Sequence, residues 1–117
     1  MLKANIAMMK KQILSMKAEK IAEGTPAVCV YEEELVGNEV RDYANMLAEK
    51  CGRVLVLACK DVESLRYVLI DHEQKARDYG SEIQNKFHGK GGGSPKMVQG
   101  TLSGSPETLC DWFENML

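Results

Sequence analysis

The chain has two histidines, no Cys-x-x-Cys and no clustering of cysteine with histidine, so it lacks the ligand set of a structural zinc site. No run approaches the ~18 apolar residues of a membrane span, and the N-terminus lacks the compact apolar core of a signal peptide. Charge of one sign is missing too: 15 basic and 17 acidic side chains leave −2 over 117 residues, so no global field attracts nucleic acid. No nucleophile stands beside a general base in sequence. His72, flanked by Asp71 and Glu73, reads as part of a solvated strand end. These absences leave no catalytic residue, no metal and no cofactor to assign. The four cysteines, Cys29, Cys51, Cys59 and Cys110, are widely spaced, and three lie in apolar runs. They read as small buried hydrophobes in a reducing cytosol.

What is present is enough chain for one domain, with 44% apolar residues to build a core. Residues 2–23 read as a helix in which Leu2, Ile6, Met9, Ile13 and Met16 step by 4, 3, 4 and 3, a heptad seam ended by Gly24 and Pro26. A seam that begins at the first residues leads us to expect a longer parent, in which the helix continues upstream. Residues 27–31 read as a buried strand. Val36, Val40, Tyr43, Leu47 and Cys51 predict a helix from about Asn38, closed by Gly52. Residues 53–59 and 65–70 are strands joined as a hairpin, residues 75–87 a weaker helix, and residues 97–102 a last strand. Ser105 caps a final helix with Pro106 at its first position and a stripe of Leu109, Trp112, Phe113 and Met116. The order predicts an α/β (α+β) fold: a mixed sheet flanked by helices, with a connector or dimerisation helix over 1–24 and a globular domain over 25–117.

The segment from Phe87 to Gly100, FHGKGGGSPKMVQG, carries the functional signal. Five of its fourteen residues are glycine, and Lys90 and Lys96 flank the Gly-Gly-Gly core. Glycines visiting φ > 0 present successive amides to an anion such as phosphate. Five basic residues between Lys75 and Lys96 face only Asp78 and Glu82, so the one basic patch coincides with the glycines. Neither a Walker A loop nor a dinucleotide fingerprint fits this spacing. The alternative is a structural turn. Against a mere linker, Pro95 gives the loop a defined exit and apolar residues resume at Met97 and Val98. The phosphate-contacting set is Lys86, His88, Gly89, Lys90, Gly91, Gly92, Gly93, Ser94, Lys96 and Gln99.

With this element order, the run Gly89–Gly100 resembles the DHH-associated domain that ends alanyl-tRNA synthetases, their longer editing relatives and DHH phosphoesterases. The likeness covers about residues 25–117. Phosphoesterase members place a His directly after the glycines, where Ser94 stands here, and the Gly-Gly-Gly-x-Pro-x-Met-x-Gln form is similar to the synthetase and editing branch. Thr101 follows Gly100 where synthetases usually show another Gly, which points toward an editing-type parent. The resemblance implies a cytoplasmic, non-catalytic domain that contacts tRNA through the glycine segment, beside the catalytic or editing domains of its parent. A homodimer would form through the N-terminal helix. The alternatives are the substrate-binding domain of a phosphoesterase and a purely structural dimerisation module.

Overall fold

The computed structural model of the protein describes residues 12–21, 24–36, 38–61 and 64–115. The mixed sheet and its flanking helices are as expected. A helix over 12–19 (α1) leads into β1 (Thr25–Tyr31), α2 (Asn38–Ala48), β2 (Cys51–Cys59), β3 (Ser64–Asp71), α3 (Ala76–Lys86), β4 (Lys90–Gly93), β5 (Met97–Ser103) and α4 (Pro106–Asn115). The strands lie in the order β1-β2-β3-β5-β4. β1 and β2 run parallel, joined through α2, and all other neighbours pair antiparallel.

β2 is the middle of the core because every residue from Arg53 to Ala58 is buried. A strand covered on both faces has no polar side to show, which is why RVLVLAC reads as an unbroken apolar run. Val54, Val56 and Ala58, with Val68 and Ile70 of β3, pack under Val40, Tyr43, Ala44 and Leu47 of α2. Leu55 and Leu57, with Leu65, Tyr67 and Leu69, face the other way, against Ile83, Phe87, Leu109 and Phe113 of the α3–α4 layer. The open end of the β2–β3 hairpin carries a buried ion pair. Arg53 Nε lies 3.4 Å from Asp71 Oδ2, its cross-strand partner, and the guanidinium sits 4.1 Å from the Tyr79 ring centre on α3. Asp71 Oδ1 accepts the Glu73 amide at 2.9 Å.

The N-terminal helix departs from the sequence reading. Leu2, Ile6 and Met9 lie outside the described residues, while Ile13 and Met16 are 51% and 61% exposed. A second track at spacings of four and three, Leu14, Ala18 and Ile21, packs on the body instead. Lys17 holds that orientation through Glu32 at 2.9 Å, and Lys50 Nζ caps the Glu19 carbonyl at 3.1 Å. With its last carbonyls taken by Lys50 and by the Lys20 and Ile21 amides, the helix stops at residue 19, short of Gly24. α2 also ends earlier than expected. Val36 lies before the helix and is exposed, Cys51 already belongs to β2, and His72 Nε2, carrying the proton, donates to the terminal Ala48 carbonyl at 2.6 Å. His72 is therefore a tie between α2 and the β3 end. α4 starts as read: Ser105 Oγ accepts the Thr108 amide at 3.2 Å, and Leu109 and Phe113 are buried.

The cysteines need correcting. Cys51 is a buried free thiol, whose pKa burial raises, and Cys59 a half-buried one, but Cys29 and Cys110 are joined in a disulfide with their Cα atoms 5.3 Å apart. Cys29 lies on the side of β1 that α4 covers, and Cys110 follows Leu109 on the inner side of α4, so helix docking brings together residues 81 apart in sequence. A cross-link over a loop of that size restricts the unfolded chain by about 4 kcal/mol on chain-entropy grounds. Urea titrations with and without dithiothreitol, and of Cys110→Ala, are expected to show a lower midpoint for the reduced and mutant chains. A midpoint unmoved by reduction would show that the bond contributes nothing to stability.

Candidate nucleic-acid interface

The glycine run is a strand and not a loop. β4 pairs with β5 at the edge of the sheet, with Lys90 opposite Thr101, Gly91 opposite Gly100, Gly92 opposite Gln99 and Gly93 opposite Val98. Among the described residues, positive φ at glycine occurs only at Gly24 and Gly104. The left-handed step falls on His88, with φ 50°, where α3 ends. The Gly89 amide then donates back to the Gln84 carbonyl at 2.9 Å, the closing bond of a Schellman-type cap.

Four of the five glycines answer to backbone crowding. A Cβ on Gly91 would overlap the Gln99 carbonyl oxygen, one on Gly93 that of Met97, and one on Gly100 that of Lys90. A Cβ on Gly89 would strike Leu102 and the Thr101 carbonyl. The β4–β5 hairpin is packed backbone on backbone, and glycine is the residue that permits it. Gly92 is different: nothing lies within 4 Å of where its Cβ would be, and its φ is not positive.

The connecting turn is held by four hydrogen bonds. The Ser94 amide donates to the Met97 carbonyl at 2.8 Å and the Met97 amide to Ser94 Oγ at 3.3 Å. The Pro95 carbonyl accepts from Ala76, the first amide of α3, at 2.9 Å. Lys75 supplies that helix with no side-chain cap, so the turn satisfies the orphan donor instead. The Lys96 carbonyl accepts from Asp71 at 3.0 Å. With Ser94–Met97 as the bonded end of the ladder, alternation aims the amides of Gly91 and Gly93 at the open edge.

The structure divides the residues expected to act together. Directly opposite residues share a face, so Lys90 and Gly92 lie with Thr101 and Gln99 on the α2 side of the sheet, and Lys96 follows at the turn. Lys86 lies on the other side, in a hollow of about 440 Å³ with Glu82, Asp111 and Trp112. His88 sits exposed at the α3–β4 junction. The sequence reading missed Arg66. It faces Thr101 across β3–β5 and is exposed, lining a hollow of about 210 Å³ with Val40, Val68 and Gln99. Its signal was available: one charge inside the apolar run LRYVLI marks a strand face left open. Tyr67, its neighbour, turns the opposite way, where its hydroxyl accepts from Gln84 Nε2 at 2.7 Å and burial raises its pKa. Among the described residues no group of three His, Cys, Asp or Glu side chains forms a metal site, and no helix is long and apolar enough to cross a membrane.

No protein-family model matches the chain. A solved structure, the C-Ala domain from Aquifex aeolicus alanyl-tRNA synthetase, is similar to it, with a TM-score of 0.62 and 20% identity over 81% of this chain and 94% of that domain. At that identity the likeness shows a shared fold, the one that the glycine segment and element order led us to expect.

The glycines separate into two experimental classes. Gly100→Ala and Gly91→Ala are expected to destabilise the fold by about 2 kcal/mol or more, because backbone must move to admit the methyl group. Gly92→Ala should leave the thermal midpoint near that of the parent chain. Equal losses at all three positions would show that Gly92 is structural as well.

Proposed function

We propose that the chain is a C-terminal, C-Ala-type domain of an alanyl-tRNA synthetase or of a related editing protein, and that it serves as a non-catalytic, tRNA-contacting module in the cytoplasm. The observation that carries this is Gly92. It is a glycine with no internal reason to be one, on an exposed strand between two lysines that make no ion pair among the described residues. A bare backbone flanked by cations is suited to a sugar–phosphate chain, which needs close approach and positive charge but no side-chain readout. The fold likeness to a synthetase domain supports the same reading, and a sequence in which no nucleophile stands beside a general base favours a module that works beside its parent's catalytic or editing domains.

Anisotropy titration with tRNA at several salt concentrations tests it. Lys90→Ala and Lys96→Ala should each weaken binding for all RNA sequences alike, and each should reduce the slope of log K against log salt by about one unit. An unchanged affinity and slope in the folded double variant would sink the role given to the glycine segment.

A second role has its own observation. Ile13 and Met16 remain exposed on α1, on the same seam as Leu2, Ile6 and Met9, and such a stripe favours pairing with a second helix. We propose that a second copy of the chain provides it. Sedimentation should give a dimeric mass that falls for Ile13→Asp with the circular dichroism spectrum unchanged, whereas a monomeric parent chain would overturn self-association.

A further inference from the structure

We infer that the RNA lies on the open half of the sheet beside α2, with Arg66 as a principal contact, and that the RNA it takes is double-helical. This rests on the RNA-binding reading above and specifies its surface and its ligand class.

The surface follows from how the helices are distributed. α4 packs on β1 and β2, and α3 on β3, β5 and β4 of the same face. On the other face α2 reaches β2 and β3 but not β5. The β5–β4 strip on the α2 side therefore has no helix over it among the described residues, with the exposed Arg66 of β3 at its margin, and α2 forms its bank. Two hollows of about 210 and 630 Å³ are each lined on one side by residues of α2.

The strip is ordered in rows by the strand register. The first row is Arg66, Thr101 and Lys90, the second Val68, Gln99 and Gly92, and the third Ile70 and Met97, with Lys96 just beyond. Cations stand at both ends, about 17 Å apart along β5 for five residue steps. Between them lie an amide side chain and a backbone position with open space above it. Arg66, Lys90 and Lys96 make no ion pair among the described residues, and the exposed carboxylate lining the hollows is Glu49, in the hollow that Lys96 also lines. Charge and access on this strip are complementary to a polyanion.

The class of RNA follows from the aromatic side chains. Proteins that hold single strands stack bases on exposed rings. Here Tyr43 and Tyr67 are buried, Tyr79, Phe87, Trp112 and Phe113 belong to the opposite face, and Tyr31 ends β1 on the far side of β2. The strip offers no tyrosine, phenylalanine or tryptophan, and the His72 ring in its larger hollow is already bonded to the Ala48 carbonyl, so its cations, hydroxyl and amide suit phosphates and 2′-hydroxyls better than an unpaired base. That is the contact pattern of double-helical RNA.

The test is anisotropy titration of the full chain with a hairpin RNA having a stem of about 16 base pairs, and with an oligouridylate of equal length. The hairpin should bind more tightly than the oligouridylate. Arg66→Ala should weaken hairpin binding roughly tenfold and lower the salt slope by about one unit, while Lys86→Ala, on the opposite face, should change affinity less than about twofold. Arg66 is exposed and Gly92 has open space, so Arg66→Ala and Gly92→Val are expected to keep the parent's melting temperature, and Gly92→Val should also weaken the hairpin. If both variants melt as the parent does and bind as tightly, the surface is wrong. Dependence on Lys86 in their place would leave RNA binding intact and move it to the α3 side. Tighter binding of oligouridylate overturns the ligand class, and a parent chain that binds neither probe nor tRNA overturns the function as well.

Discussion

The burial of β2 on both faces is the constraint on which the rest of the molecule depends. Six successive residues of one strand, Arg53 to Ala58, are removed from water, which requires a helical layer on each side of it. α1 and α2 form one layer, and α3 and α4 the other. Having centred on β2 and β3, the α2 layer does not extend to β5 and β4. The α2 side of those strands is therefore bare, and its residues are Gln99, Thr101 and Lys90, with Arg66 of β3 beside them, in place of valine and leucine. The candidate interface is thus a consequence of where the core ends.

Crowding in the β4–β5 hairpin changes what the glycines mean. A run of glycine beside lysine reads most simply as a flexible anion-binding loop. Instead, Gly89, Gly91, Gly93 and Gly100 let backbones approach more closely than any Cβ allows, and the hairpin is tied through Pro95 to α3 and through Lys96 to β3. Four glycines are thereby accounted for without any ligand. Gly92 and the cations around it remain, a glycine that backbone crowding does not explain.

Much of the fold was legible. The continuous apolar run of β2, the hairpin into β3, the amphipathic stripe of α2 and the Ser105–Pro106 start of α4 each express a local rule, in which burial sets the pattern and capping sets the boundary. The errors have a common source. The N-terminal helix carries two apolar tracks, and periodicity picked Ile13 and Met16 where the body buried Leu14 and Ala18. Helix α2 seemed to run on to Gly52 because Cys51 is apolar in either a helix or a strand. Of the candidate site, Lys90, Gly92, Lys96 and Gln99 do share one region of the fold, whereas Lys86 was included through nearness in sequence and lies across the sheet.

By itself the sequence determined the element types outside the glycine segment, the two-sided burial of the central strand and the location of that segment, since each depends on residues within a turn or a strand of one another. Only the tertiary structure decided that Cys29 meets Cys110, that Arg53 pairs with Asp71, and that Arg66 from β3 stands in one row with Thr101 and Lys90. Those relations are set by strand order and helix docking. Strand order is chosen by the free energy of burying whole faces at once, a quantity that no local window of residues contains.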